Sequence, residues 1–258
     1  MMSNSRITWL SVSILALVVS ALLLLLGQEP ARPQTITVDD PRPLAAAILV
    51  LEQRYGWIVT YEDPPYEFAA DSRDVTEEIR RSHDSNRRVL VPVGGPFSFS
   101  YATPETTRQP MAILERLLTS YHVSGHAGEF RVAKTGSVFH VLPHASRDVR
   151  GFRQIRASRL DTRITVEERK RTVMEMFYEI VRAASRPGAY TIMPGTIPTN
   201  LFIQTSITKG AKNEVARTVL IRTLAATGNP LSWRLLCDPG ASAECALNVH
   251  LVQQPSGE

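Results

Sequence analysis

The chain has 258 residues, enough for one large domain or two small ones. Its 29 basic and 25 acidic residues leave a formal charge of +4. This balance argues against a nucleic-acid partner, because nucleic-acid-binding domains concentrate a clear basic excess on one face. The sequence contains no G-x-S-x-G, H-E-x-x-H or phosphate-binding glycine loop, so it predicts no catalytic centre, no metal site and no cofactor.

The amino terminus carries a long apolar run. Residues 7 to 27 contain no charged side chain, and about 20 apolar residues can cross a hydrocarbon core of roughly 30 Å as a helix. Because Arg6 precedes the run, the positive-inside tendency places residues 1 to 5 in the cytoplasm and the rest of the chain outside. The sequence therefore predicts a single-pass protein of the inner (cytoplasmic) membrane, anchored by residues 6 to 27, with its bulk in the periplasm.

A cleaved signal peptide is the alternative, and it would make the protein secreted or periplasmic. The stretch closest to a signal-peptidase site is Val19-Ser20-Ala21, and cleavage there would leave an N-terminus that begins LLLLL. A retained anchor fits this sequence better. Residues 28 to 34 follow as a short, proline-containing tether.

Two later stretches repeat one pattern. Residues 36 to 56 read ITVDDPRPLAAAILVLEQRYG, and residues 164 to 185 read ITVEERKRTVMEMFYEIVRAAS. Each begins with a β-branched run and an acidic pair, and continues with apolar residues at helical spacing, which predicts a strand, an N-terminal cap and a helix. We therefore predict two modules, over residues 35 to 145 and 160 to 253, followed by a tail at 254 to 258.

The first module is predicted to have helices at 43 to 55 and 110 to 121, with WIVTY and FSFSY as strands. FRVAK and SVFHVLP form a hairpin that turns at Thr135-Gly136. Residues 66 to 95 have no counterpart in the second module, so we interpret them as an insertion with a short helix near residues 75 to 81.

The second module repeats this order, with helices at 169 to 184 and 214 to 226, strands YTIM and LFIQTSI, and a cysteine-containing hairpin. The predicted fold class is therefore α+β: two tandem small modules after an N-terminal transmembrane helix. Each module is expected to be a small sheet covered on one face by two helices.

The two cysteines lie in the last predicted hairpin. Cys237 and Cys245 flank a Pro-Gly turn, so the returning chain brings them opposite each other. A disulfide there would stabilise the fold by about 2.6 kcal/mol on the loop-entropy formula and would persist in an oxidising compartment. Two reduced thiols, or half of an intermolecular metal site, are the alternatives.

Two segments are candidate partner surfaces. Residues 146 to 159 form an arginine-rich linker that is either solvated or a basic edge for an anionic lipid or acidic polymer. Its arginines recur at every third residue and are Arg147, Arg150, Arg153, Arg156 and Arg159. The stretch TYEDPPY at 60 to 66 is either a plain turn or an aromatic and acidic docking loop. The loop would present Tyr61, Glu62, Asp63 and Tyr66.

Two parts of the first module carry a family resemblance. Residues 41 to 64, PRPLAAAILVLEQRYGWIVTYEDP, resemble the opening of the secretin and TonB short N-terminal (STN) domain. Residues 107 to 143, TRQPMAILERLLTSYHVSGHAGEFRVAKTGSVFHVLP, resemble its second half. In the second module, ARTVLIRTLAATGNPLSWRLL keeps the spacing and loses the middle of the pattern.

The resemblance implies a small periplasmic domain that makes protein contacts in front of a membrane pore or receptor barrel and has no catalytic residues. The insertion at 66 to 95, and the lack of a following barrel or secretin segment in this sequence, mean that a pore-forming role is not implied.

The expected function is therefore a membrane-tethered, extracytoplasmic protein-protein interaction or scaffold module, not an enzyme, with an envelope protein as its partner. An exported ligand-binding protein and an enzyme built between the modules are the alternatives. A deep polar pocket would favour the enzyme, whereas a shallow apolar groove or an open sheet edge would favour binding.

Overall fold

The computed structural model describes residues 33 to 80, 88 to 102, 109 to 186, 189 to 239 and 244 to 254. These residues form a mixed α and β structure. Its helices are α1 (Pro43–Tyr55), α2 (Thr76–Arg80), α3 (Pro110–Val123), α4 (Val173–Ala184), α5 (Thr199–Gln204) and α6 (Ala216–Ala225). Its strands are β1 (Pro33–Asp40), β2 (Val59–Glu62), β3 (Ser72–Asp74), β4 (Leu90–Pro92), β5 (Gly95–Ala102), β6 (Glu129–Thr135), β7 (Val138–Arg147), β8 (Arg153–Ile155), β9 (Arg163–Thr172), β10 (Thr191–Pro194), β11 (Ser206–Val215), β12 (Leu231–Cys237) and β13 (Glu244–Leu251).

The largest sheet runs through both halves of the chain, in the order β10-β13-β12-β2-β7-β6, with β8 beside β7. Strand pairing in the second half repeats that in the first. β2 runs parallel to β7 as β10 runs parallel to β13, and β6 is antiparallel to β7 as β12 is to β13. Each half also has a separate antiparallel ribbon, β1 with β5 or β9 with β11.

Each half has its own apolar core. In the first half, Leu51 of α1 and Leu117 of α3 pack in one cluster with Phe99 of the ribbon and Val59 of the central sheet. A second cluster is built in the same way around Phe177 of α4. The helices therefore lie between two layers of strands, whereas the sequence had predicted one sheet on one side. The alternating apolar residues of the ribbon strands need a buried face, and the helices provide it.

Helix α1 has the predicted bounds because both ends are marked in the sequence. Pro43 occupies the first helical turn, where its missing N–H costs no hydrogen bond. Gly56 ends the helix in the left-handed region, with φ of 65°, and its N–H donates to the Glu52 carbonyl.

Helix α4 begins later than the predicted residue 169. Residues 169 to 172 instead continue β9, where they pair with β11. Thr172 then caps the helix, because its hydroxyl accepts from the Glu175 N–H while the Glu175 carboxylate accepts from the Thr172 N–H. The acidic pairs that were predicted to cap the helices, at 39 to 40 and 167 to 168, lie inside β1 and β9.

The predicted strand LFIQTSI is also different in the structure. Its first four residues belong to α5, and β11 begins only at Ser206. Phe202 is buried, with its ring centroid 5.6 Å from that of Phe177. A short apolar run has no period that separates strand from helix, so its conformation depends on the core it fills.

The predicted membrane segment at 6 to 27 lies outside the described residues, as do the N-terminal residues 1 to 5, the tether residues 28 to 32 and the tail residues 255 to 258. Pro33 and Gln34, which were predicted to end the tether, begin β1. Among the helices described, none has the length and apolar character needed to cross a membrane.

Candidate functional site

The two halves meet edge to edge in the central sheet. β12 of the second half runs parallel to β2 of the first, with Arg234 beside Tyr61 and Leu235 beside Glu62. The pairing continues past the end of β2, because the Asp63 N–H donates to the Leu235 carbonyl at 2.8 Å. The junction is therefore a strand addition within one chain.

Side chains along β12 alternate between the two cores. Trp233 and Leu235 pack in the cluster of the second half. Arg234 points to the other face and lies 3.2 Å from Glu52 of α1. Because successive residues of a strand face opposite sides, the helices of the two halves cover opposite faces of the shared sheet.

A buried ion-pair network crosses the junction. Arg217 of α6 donates to both carboxylate oxygens of Glu62, at 2.8 and 2.9 Å, and to Asp161 at 2.5 Å. The Ser158 hydroxyl also donates to Glu62. Burial alone would lower the pKa of Arg217, but Glu62 and Asp161 outweigh it and raise that pKa. The guanidinium stays charged, and it holds α6 against β2.

A second polar cluster is centred on the buried carboxylate of Asp63. It accepts hydrogen bonds from Arg42 Nε at 2.7 Å, from the hydroxyls of Tyr61 and Tyr66 at 2.8 and 2.9 Å, and from the Cys237 N–H at 2.8 Å. Burial, followed by the charge of Asp63, raises the pKa of both tyrosines, which therefore remain protonated donors. Every donor satisfies the same buried acid.

The candidate docking loop lies in this junction. Tyr61, Glu62, Asp63 and Tyr66 are all buried, so they are not available to an external partner. Acids between aromatic residues were a real signal for a recognition segment, but the segment is recognised by the second half of the same chain. Sequence reasoning missed Arg217, because nothing local in ARTVL indicates that its side chain meets Glu62.

The five linker arginines do not form one free basic edge. Four of them lie next to acidic side chains, in the pairs Arg147 with Asp71, Arg150 with Asp148, Arg153 with Glu129 and Arg156 with Glu67. Arg159 lies against the ring of Tyr190 and donates to the sulfurs of both cysteines. Much of the positive charge that the spacing suggested is therefore compensated within the chain.

Cys237 and Cys245 form the predicted disulfide, with their sulfurs 2.24 Å apart. They lie directly opposite each other in the ladder of β12 and β13. The N–H of Cys237 donates to Asp63 and its carbonyl accepts from Arg42, so both groups face away from β13. Strands approach most closely at such non-hydrogen-bonded pairs. The Cα atoms are 3.9 Å apart, closer than the range of about 4.4 to 6.8 Å expected for a disulfide.

His140 of β7 is buried on the face that looks towards the second half. Its Nδ1 is 2.8 Å from the Thr60 hydroxyl, and its ring centroid lies 5.7 Å from that of Trp233. Burial, with a smaller contribution from the charge of Arg217, lowers the pKa of His140 to about 4. The imidazole is therefore neutral at neutral pH.

We expect His140 to make the fold sensitive to acid. The unfolded chain protonates this imidazole near pH 6.5 and the folded chain only near pH 4, so between these values the folded state binds fewer protons and loses stability as pH falls. At 1.36 kcal/mol per pKa unit, the loss is about 3 kcal/mol. Urea unfolding across this pH range measures it.

The control for this prediction is His140→Gln, which cannot titrate in this range. Subtracting its pH profile from that of the original chain removes the contribution of the carboxylates. Parallel profiles for the two proteins would show that His140 is not the responsible group.

The free edge of β6 carries unpaired backbone groups. The Phe139 N–H donates to the Ile58 carbonyl of β2, so Phe139 and the Lys134 opposite it form a non-hydrogen-bonded pair. Alternation gives Val132 and Phe130 the same orientation, with their N–H and C=O groups turned away from β7. In the described part of the chain, no strand pairs with this side of β6.

The opposite edge of the sheet, at β10, is closed. The N–H and C=O of Ile192 both bond to the Ser185 hydroxyl, at 2.9 and 3.3 Å. The Tyr190 N–H donates to the Arg186 carbonyl, and Pro194 has no N–H. A proline on an edge strand is a common protection against strand addition. The two ends of the sheet are therefore chemically different.

Shallow grooves lie beside both ends. The groove between α4 and β10 has a volume of about 790 Å³, and its lining includes Val181, Ile192, Tyr178 and Met193. The last two side chains are 49 % and 43 % exposed, which gives this groove an apolar rim. A smaller groove of about 480 Å³ lies between α3 and β6 and includes Phe130 and Val132.

Within the described ranges, no group of three or more histidine, cysteine, aspartate or glutamate side chains is arranged to hold a metal ion. The geometry thus offers two buried polar clusters that join the halves, one open sheet edge and two grooves. Comparisons with protein-family models, with curated proteins and with solved structures gave no match.

Proposed function

We propose that this chain is a membrane-tethered, extracytoplasmic protein-protein interaction module whose partner is another envelope protein. The observation that carries the proposal is the open edge of β6, because the chain itself uses the corresponding edge, that of β12, to bind β2. Unpaired strand edges are a recurrent site at which proteins add a partner strand.

The proposed location is the periplasmic side of the inner membrane, with residues 6 to 27 as the anchor. Two features support it. The apolar run is long enough to span a bilayer, and a disulfide such as that between Cys237 and Cys245 persists in oxidising compartments.

We also propose that the two halves are copies of one STN-like module, joined in series. The repeated strand pairing supports this, as does the helix register: Leu44, Ile48 and Leu51 of α1 and Phe177, Val181 and Ala184 of α4 are buried at the same spacing. The insertion contributes α2, β3 and β4 and lies outside the repeated elements. The resemblance adds a role in protein contacts by analogy only.

An exported ligand-binding protein is the second candidate, and the groove beside β10 favours it. Its volume of about 790 Å³ lies in the range of small-molecule sites, roughly 300 to 1,000 Å³. Its openness to solvent and its exposed aromatic and thioether side chains resemble a protein contact more closely.

Site-specific photo-crosslinking in intact cells tests the proposal. A photoreactive residue at position 132 on the β6 edge is expected to capture a discrete envelope partner, which co-purifies from detergent-solubilised membranes. The same probe at Thr37, an exposed residue of β1, is the matched control and should capture none. A third probe at Met193 reports on the groove beside β10.

The proposal fails if all three positions give the same background adducts. A specific adduct at Met193 alone would keep the interaction function and move it to the other end of the sheet. Small-molecule capture there, without protein adducts, would instead favour the ligand-binding candidate.

A further inference from the structure

Strand β6 occupies the position in the first half that β12 occupies in the second. Each is the first strand of the hairpin that closes its half. The register carries this correspondence to single residues: Lys134 corresponds to Cys237, and Val132 corresponds to Leu235. The contacts of β12 therefore show what an occupied β6 edge would look like.

The edge of β12 binds a parallel strand that ends in an acid. The Leu235 carbonyl accepts the Asp63 N–H, while the Cys237 N–H donates to the Asp63 carboxylate, each at 2.8 Å. The corresponding groups of β6 are the carbonyl of Val132 and the N–H of Lys134. Both face away from β7 and are available to an added strand.

The charges of β6 match the same kind of occupant. Arg131 and Lys134 are exposed and, among the described residues, have no acidic partner within ion-pair distance. The acid of this strand, Glu129, is held by Arg153 at 2.5 Å. The edge therefore presents uncompensated positive charge beside the apolar groove of α3 and β6.

We propose that the β6 edge binds an extended segment of the partner protein that runs parallel to β6 and carries a carboxylate at its C-terminal end. This inference rests on the proposed function and names the chemistry of the partner. The backbone of Val132 and Lys134 holds the segment in register. Its alternate apolar side chains pack in the groove beside Phe130, and its carboxylate meets the N–H and the ammonium group of Lys134.

The chain supplies its own probe for this site. The capped peptide WIVTYEDP, residues 57 to 64, contains the segment that already binds β12, including its terminal acid. We expect this peptide, added to the full-length chain in detergent micelles, to slow amide hydrogen exchange at Phe130, Val132 and Lys134 by tenfold or more. The amides of Arg131 and Ala133 already bond to β7 and should change little.

Matched variants separate backbone pairing from charge. Val132→Pro removes the outward N–H and should abolish protection, whereas Val132→Thr keeps it and should bind like the original chain. A peptide with Gln and Asn in place of Glu62 and Asp63 should bind about two- to fivefold more weakly, the usual scale of an exposed charge pair. Circular dichroism checks that each variant is folded.

Absence of protection at saturating peptide, or equal protection in Val132→Pro, overturns the inference. Protection confined to the groove of α4 and β10 does so as well. These failures are distinguishable from failure of the proposed function: if the probe at position 132 still captures an envelope protein, the interaction function stands and only the stated chemistry of its partner is wrong.

Discussion

Replacing Glu62 with leucine should lower the free energy of unfolding by about 3 to 5 kcal/mol, the usual cost of removing one partner of a buried ion pair. The substitution leaves Arg217, whose side chain is only 10 % exposed, with Asp161 as its remaining acid. Because the lost bonds join β2 to α6, unfolding should begin with separation of the halves. Denaturant titration followed by the fluorescence of Trp233 measures the loss.

A double-mutant cycle tests the reason for this cost. Glu62→Leu combined with Arg217→Met leaves no buried charge, so the double variant should lose much less than the sum of the single variants. The exposed pair Arg80 and Glu77, 2.8 Å apart, is the surface control and should contribute less than about 1 kcal/mol. Strictly additive losses at Glu62 and Arg217 would show that the network is not an energetic unit.

Leu51→Ala and Phe177→Ala should each cost about 2 to 5 kcal/mol, because each removes a fully buried side chain and leaves a cavity. Leu51 belongs to the core of the first half and Phe177 to that of the second. Their costs should therefore add within about 0.5 kcal/mol in the double variant.

Thermal and denaturant unfolding of the two single variants and the double variant give these values. Replacement of Val123, which is 81 % exposed at the end of α3, is the control and should change stability little. A coupling well above 1 kcal/mol would mean that the two cores act as one, against the separation into two clusters.

Regular local patterns allowed part of the fold to be predicted. The apolar stripe and the marked ends of α1 gave its bounds, and Thr135-Gly136 gave the hairpin of β6 and β7. Prediction failed where local sequence is compatible with two structures. Residues 169 to 172 fit the helical period of α4, but pairing with β11 keeps them extended. The apolar run at Leu201 likewise gave no period to identify its helix.

The candidate site was less predictable, because its chemistry depends on contacts between distant residues. The aromatic and acidic character of 60 to 66 correctly marked a recognition segment. Its partner groups, Arg217 and the N–H of Cys237, are 155 and 174 residues away from the acids that they contact. No local pattern encodes such a pairing.

The sequence by itself determined the duplication of the pattern, the cysteine hairpin and most of the helices, since each depends on residues within about one element of each other. Only the tertiary structure decided how the halves join. Two modules of similar pattern could have remained separate, but β2 and β12 pair edge to edge and bury Glu62 with Arg217. That pairing leaves β6 open, while Pro194 and Ser185 close β10. Edge satisfaction is a property of the assembled sheet, which is why neither outcome was visible in the sequence.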